Sequence, residues 1–457
     1  MLTNKQLSRM LIVFGIFLFS CHIYPQHYHP FREFFQDGLA ALAILLAFGY
    51  MARVPKIVLQ VPRSIILPIG LIIIIGLQTL SGNVLFPIDS FFPILYLLLF
   101  ALSMIVGATM VAQNRGIDHL CEALAFVYLA VGLVSVLFQD IQLFNLDCGP
   151  LVMPIVDRDR LRPYANIAQP NMMALILCFA LASIWWLFKI RRLNAWISSA
   201  CVLIIFWGLV LTQSRIAWMI LPLFALFCGQ RTENYANVPK KAVFLMLVIF
   251  AMMVFYSPDI LSWIGQPIES ISKHAGETSV RIVLWKQAWL MSTIHPWVGT
   301  GWFQFGHYQA IFASLFPPTE YSEYAHNIIL NFAAELGWVV TIIIVVGSVY
   351  WFYKYCVKRW TKLHVRFLSL IIIAAILHSM VEYPLWYGIV LFPFGVIVGA
   401  LDPSRLSAKV LEVSRFWIIG LCSLAFVSMI AITTDYYRVM LGFNALVWQQ
   451  AGEKNGS

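Results

Sequence analysis

Apolar runs of the roughly 20 residues needed to cross a bilayer recur from one end of this 457-residue chain to the other. In hydrocarbon every backbone polar group must find its partner inside its own segment, so such runs can only be helices. A soluble fold is excluded: 61% of residues are hydrophobic and 11% charged, against about half and about a quarter in soluble domains. Candidate spans fall near residues 8–24, 38–53, 65–81, 91–113, 119–139, 170–189, 195–212, 216–229, 242–257, 326–349, 367–383, 386–401 and 416–434. The expected fold is therefore all-α, one polytopic bundle of about 13 transmembrane helices over residues 1–457.

Lys and Arg stay on the cytoplasmic side of short loops. With the N-terminus inside, the alternate segments hold twenty basic residues inside and ten outside. The net charge of +9 is thus explained by topology and does not call for nucleic acid. The first span lacks a small-residue cleavage site and reads as a retained helix. Most of the eight cysteines lie within spans, which argues against a disulfide framework; Cys21 with Cys148 is the one pairing the topology would allow. No internal repeat suggests an inverted-repeat transporter, and no pair of interrupted spans is evident.

Two outer segments stand out as functional loops by their length. One covers residues 140–169 and the other, by far the longest, residues 258–325; a tail of about 23 residues, 435–457, follows the last span. Within the long loop SVRIVLWKQAWLMS reads as a helix, with Arg281, Leu284, Trp285, Ala288, Trp289 and Ser292 on one stripe. Such tryptophans beside Lys286 describe a helix lying in the membrane interface. That anchoring role and a more specific one, in which Arg281 points at a lipid-borne phosphate, are both open.

Arg215, in LTQSRIAW, sits at the turn between two apolar helices. An arginine there costs up to roughly 2.5–3.5 kcal/mol, less near the interface, so something must compensate. A carboxylate, snorkelling or an anionic substrate would each serve. Together Arg215 and Arg281, with Arg162 and Lys286 beside them, suit a pyrophosphate.

His326 and Asn327 open the tenth span, and Asn327, Asn331 and Glu335 follow at a spacing of four, which aligns them on one helix face. Asn331 and Glu335 are read as interhelical hydrogen-bonding groups. His326, at the aqueous edge, is the candidate general base. His378 and Glu382 share a face of the eleventh span, as a structural staple or as substrate-orienting groups. The Asp157-Arg158-Asp159 run resembles a metal-binding motif, but its interleaved arginines oppose a cation. No zinc-spaced cluster or phosphate-cradling loop is present, and neither metal nor cofactor is expected.

TQSRIAW at 212–218 and the stretch from Arg281 through PWVGTGWFQF to AHNIILNFAAELG at 325–337 resemble the shared core of O-antigen ligases, O-antigen polymerases and bacterial protein O-oligosaccharyltransferases, and they are accompanied by RPYANIAQPN at 162–171 and HSMVEYPLWY at 378–387. The last two are similar to motifs of the protein O-oligosaccharyltransferase branch, of PglL type and including its pilin-glycosylating members. The resemblance covers roughly residues 160–390. It implies transfer of a glycan from undecaprenyl pyrophosphate to Ser or Thr hydroxyls of periplasmic or pilin proteins, on the periplasmic face of the bacterial inner membrane.

Under that resemblance His326, Arg281 and Arg215 carry catalysis, while Arg162, Tyr164, Gln169, Asn171, Trp285, Lys286, Glu323, Tyr324, Asn327, His378, Glu382 and Tyr383 bind substrate. Ala165 stands where related motifs often show glycine, and the tail after the last span is shorter than many members carry. Three other readings are kept. An O-antigen ligase or polymerase would use the same site with a saccharide acceptor. A proton-coupled transporter or glycan flippase would use His326, Glu335, His378 and Glu382 as a relay. A metal-dependent oligosaccharyltransferase would need acidic residues in the first outer loop, where Glu33 and Asp37 are the candidates.

Overall fold

The apolar runs become helices in the computed structural model, which describes residues 2–155, 161–228, 235–268, 275–403 and 411–455. In chain order they are α1 (Asn4–Ile23), α2 (Phe34–Tyr50), α3 (Ile66–Leu80), α4 (Phe91–Val111), α5 (Gly116–Leu143), α6 (Pro170–Lys189), α7 (Ala195–Thr212), α8 (Ile216–Cys228), α9 (Lys240–Trp263), α10 (Ala275–Ile294), α11 (Phe305–Ile311), α12 (Ile328–Leu336), α13 (Trp338–Tyr355), α14 (Leu363–Ser379), α15 (Gly388–Leu401) and α16 (Arg415–Asn455). Among the described residues ten helices are long and apolar enough to cross a membrane, while α8, α14 and α15 are shorter apolar helices. These three stand where spans are expected, so the all-α polytopic class holds without a count of thirteen.

Helix α6 is the centre of the bundle. Its residues from Met172 to Leu187 are all buried, and it packs against α5, α7, α8 and α14. Helices α4 and α15 approach more closely than side chains would allow. A Cβ on Gly107 would run into the Val396 carbonyl and one on Gly399 into that of Met104. Gly395 and Gly399 form the small-residue spacing by which membrane helices bring backbones together. Helix α1 is woven in by Leu7, Met10, Phe14 and Leu18 against α2 and α5.

The loops expected outside gather at one end. His27 Nε2 lies 2.9 Å from the Asn166 carbonyl, Arg162 Nε donates to Thr212 O, Gln78 Nε2 donates to Val298 O and Glu335 O, and Leu85 N donates to Gln304 Oε1. The segments expected inside meet at the other. There β1 (Lys56–Leu59) pairs antiparallel with β2 (Leu411–Ser414), Ser64 N donates to Asp402 Oδ2, and Arg359 Nη1 donates to Leu401 O. We refer to these as the His326 end and the sheet end.

Three readings change, and a fourth falls outside the described residues. The tenth span, 326–349, is not one helix: α12 ends at Leu336, Gly337 takes φ +80°, and α13 starts afresh. An L side chain is disfavoured there, and a Cβ would meet the Trp297 carbonyl carbon at 2.6 Å. Interrupted backbone at membrane depth is tolerated where protein buries it, and Trp338 N is satisfied by Pro296 O. The tail from residue 435 is no separate segment, because α16 continues through it to Asn455. All eight cysteines are free; Cys21 is buried and Cys148 exposed, so the pairing considered between them is not formed. The Asp157-Arg158-Asp159 run lies outside the described residues.

Gly337→Ala is expected to lower stability by at least about 1 kcal/mol through the left-handed backbone alone. Thermal unfolding in detergent measures it, and an unchanged midpoint would mean that the α12–α13 break does not depend on the glycine.

Candidate active site

The site is built around one carboxylate. Glu382 lies just past α14, where Glu382 N still bonds back to His378 O, and the chain then turns through Pro384 into α15. Its side chain is 7% exposed. Arg281 Nη2 reaches Oε1 at 2.5 Å, and Asn171 Nδ2 donates to the same oxygen at 2.8 Å. His326 Nδ1 lies 2.9 Å from Oε2, off the line of a well-formed hydrogen bond, and so acts through charge proximity. Burial on its own would raise this carboxyl; contact with His326 and the charges of His326, Arg281 and His378 outweigh it and hold the group at about 2.

Each partner is placed by local structure. Asn171 is the second residue of α6, and Gln169 N-caps that helix by accepting from Met172 N at 2.5 Å. The other face of the Asn171 amide is also occupied: Oδ1 accepts from Ser214 Oγ at 2.8 Å and from Arg162 Nη2 at 3.4 Å. Arg215, half-buried at the α7–α8 turn, follows Ser214 directly and so stands beside this cluster. Helix α10 carries Arg281 and is fixed by Leu284, Ala288 and Met291, which pack with Phe305, Ala325 and Ala334.

His326 is held in an unusual backbone. Its φ is +53°, a region that few residues other than glycine adopt and in which histidine is enriched. The next residue explains how. Asn327 N-caps α12, accepting from Ile329 N and Leu330 N, and its amide donates to Met380 O at 3.0 Å. One side chain therefore sets the helix start and ties it to the turn that carries Glu382. Tyr383 stands edge-on to the His326 ring at 4.7 Å between centroids, and Tyr324 packs on Tyr383 at 4.8 Å.

The structure thus brings together His326, Arg281, Glu382, Asn171, Arg162, Asn327, Tyr324 and Tyr383. Other expected site residues do different work. Gln169 serves as a cap, and Tyr164 donates its hydroxyl to Pro154 O. Trp285 is half-buried with Nε1 unpartnered among the described residues, Lys286 and Glu323 are exposed, and His378 is buried with neither ring nitrogen hydrogen-bonded. The expected side-chain staple between His378 and Glu382 is absent.

Asn331 and Glu335 do not bond between spans. Asn331 accepts from Ala325 N and donates to Glu335 Oε2, whose other oxygen accepts from Phe305 N. Their structural role stands, but the object held is the loop leading to His326. Asp37 is likewise engaged, accepting from Tyr96 Oη and Ile389 N. Ala165 has φ +54°, which explains why a glycine suits that position.

Sequence reasoning passed over Ser214 and the amides that shape the loops. Gln142 donates to Met153 O and Ala165 O and accepts from Tyr164 N and Ala165 N; Asn166 ties Ile23 O, Leu151 O and Met153 N. The available signal was a buried amide inside an apolar run, a rare placement that demands partners.

Comparison with known proteins covers the same segments. Residues 200–345, which hold Arg215, Arg281 and His326, match the family described as O-antigen ligase. Residues 366–441, which hold His378 and Glu382, match the C-terminal region of virulence factor membrane-bound polymerases. The apolar helices make the chain a multi-pass membrane protein, and over residues 200–345 it is similar to O-antigen ligases. It also resembles the protein O-oligosaccharyltransferases. It is 25% identical over 439 residues to the general O-oligosaccharyltransferase of Acinetobacter baylyi, covering 92% of this chain and 75% of the relative. To the ComP-specific O-oligosaccharyltransferase of the same organism it is 24% identical over 413 residues, covering 89% and 73%.

Glu382→Gln removes the charge while keeping the shape. A carboxyl held at about 2 instead of the ordinary 4.5 is linked to roughly 3 kcal/mol of stability at neutral pH. Because the folded value is the lower one, this contribution is full above about pH 4.5 and is lost as pH falls toward 2. Unfolding of E382Q against the wild type is therefore expected to show a gap of that order at pH 7 that closes at acid pH. A gap unchanged at pH 2 would refute the charge assignment.

Proposed function

We propose that this protein transfers a glycan from undecaprenyl pyrophosphate to Ser or Thr hydroxyls of acceptor proteins, pilins or other periplasmic proteins, at the His326 end on the periplasmic side of the inner membrane. The observation that carries the reading is the convergence of His326 and Arg281 on the single buried carboxylate of Glu382. The names of the two relatives support protein as the acceptor.

In this reading Glu382 orients His326 through Nδ1, leaving Nε2 to take the proton of an attacking hydroxyl. The hydroxyl oxygen bonds to the anomeric carbon as the bond to the pyrophosphate oxygen breaks, with inversion. Negative charge growing on the leaving group is met by Arg281 and Arg215. A guanidinium has five fixed donors, so Arg281 keeps others beyond the one given to Glu382. This preorganised charge gains strength where water is excluded. Because guanidinium groups supply the counter-charge, the reaction as proposed needs no metal, and chelator is expected to leave it unchanged.

The O-antigen ligase match over residues 200–345 favours one second reading, the same chemistry with a saccharide acceptor. Mass spectrometry of periplasmic and pilin proteins, with lipopolysaccharide profiles from the same cells, decides between them. His326→Ala is expected to lower protein glycosylation by about 10²-fold or more at unchanged expression and donor binding. Near-normal transfer would rule out the base, and loss from lipopolysaccharide alone would select the ligase.

A further inference from the structure

Beside His326 stands a wall of aromatic rings to which the proposed proton transfer and counter-charge give no task. Between ring centroids, Tyr383 lies 4.7 Å from His326 at 89°, 5.7 Å from the nearly parallel Tyr387, and 4.8 Å from Tyr324. Tyr324 in turn lies 5.3 Å from Trp386 and 5.9 Å from Phe303. A second layer backs the first, with Phe332 at 5.9 Å and Trp302 at 6.5 Å from Trp386. The two layers differ in chemistry. Trp302 is 8% exposed and packs in an apolar core with Leu336 and Phe332, whereas Tyr324, Tyr383, Trp386 and Tyr387 are half-buried and three of them carry phenol hydroxyls.

The wall is tied to the reacting groups through the chain itself. Tyr324 lies two residues before His326, and Tyr383 directly follows Glu382. The Asn327–Met380 and Arg281–Glu382 contacts that fix the charge cluster therefore fix these rings as well. Polar groups border them: Glu323 and Glu33 lie within electrostatic reach of Tyr383, Asp89 within reach of Glu323, and Arg32 within reach of Glu33.

Half-open rings with a charged border suit a ligand that is apolar on one face and polyhydroxylated around its edge. A pyranose has that form. Its C–H bonds carry slight positive charge and favour the negative face of an aromatic ring, while its hydroxyls find acceptors and donors at the border. A hydrocarbon chain would use the rings and gain nothing from the carboxylates.

Resting on the donor proposed above, we propose that Tyr324, Tyr383, Trp386 and Tyr387 form a sugar-binding wall, which takes the ring of the first sugar, the one joined to pyrophosphate, and positions it for attack beside His326. These are binding and positioning residues and carry no proton. Such a wall discriminates between the two forms of the carrier lipid. It favours the glycosylated carrier over the bare pyrophosphate that transfer leaves behind, so that product gives way to fresh substrate.

Binding of undecaprenyl pyrophosphate, bare or bearing one N-acetylglucosamine, to the purified full chain in detergent tests this with radiolabelled lipids. The wild type is expected to hold the sugar-bearing lipid about fivefold more tightly or better. Tyr383→Leu and Trp386→Leu are expected to bind both lipids with the bare lipid's affinity, whereas Tyr383→Phe, which retains the ring, keeps the preference. Equal binding of the two lipids by the wild type overturns the wall, and so does a preference that survives in either leucine variant. The wild-type ratio stands as a test even where a leucine variant fails to fold. Failure of the wild type to bind either lipid would instead overturn the proposed donor, and the wall with it, so the two failures are told apart by the bare lipid alone.

Discussion

Everything at the His326 end depends on one carboxylate being kept ionised while buried. Glu382 is almost wholly enclosed, and burial of that kind ordinarily neutralises an acid. Contact with His326 from the start of α12 and the charge of Arg281 from the long loop prevent it, while Asn171 from the start of α6 donates to the same carboxylate. The dependence runs in both directions. Without the carboxylate, Arg281 would lose its ion pair and His326 the acidic group beside Nδ1.

That tie matters because the groups that do chemistry sit on irregular backbone. His326 is in the left-handed region, Ala165 and Ala168 are too, and Gly337 breaks the helix that follows. Such conformations persist only when their surroundings over-determine them. The surroundings here are amides: Asn327 reaching to Met380, Asn331 to Ala325, Gln78 to Glu335 and Val298, and Gln142 to the 153–165 loop. A rigid bundle carrying loops cross-braced by neutral polar side chains holds the geometry of the candidate site without adding charge to it, which suits the anionic donor proposed above.

The sequence made the class, the span positions and the principal residues legible because each leaves a local mark. Apolar runs mark helices, and a histidine followed by asparagine at a span boundary is rare enough to notice. The Glu382 hub was not legible as a hub: Glu382 was visible only as a neighbour of His378, four residues away, whereas its true partners lie 56, 101 and 211 residues off. Long-range convergence has no periodicity. The break at Gly337 was hidden for the opposite reason, since ELGWVV continues an apolar run and one glycine in a helix is tolerable. The capping roles of Gln169 and Asn327 were not legible because a cap and a ligand use the same amide chemistry.

Helices α6 and α14 join these observations into a single mechanical argument. Each is short of side-chain freedom along its length, being buried nearly throughout, and each carries polar residues at both ends. At the His326 end the polar groups are complementary: an amide and a carboxylate bond directly. Packing along the whole of α6 and α14 therefore sets the depth at which Asn171 meets Glu382.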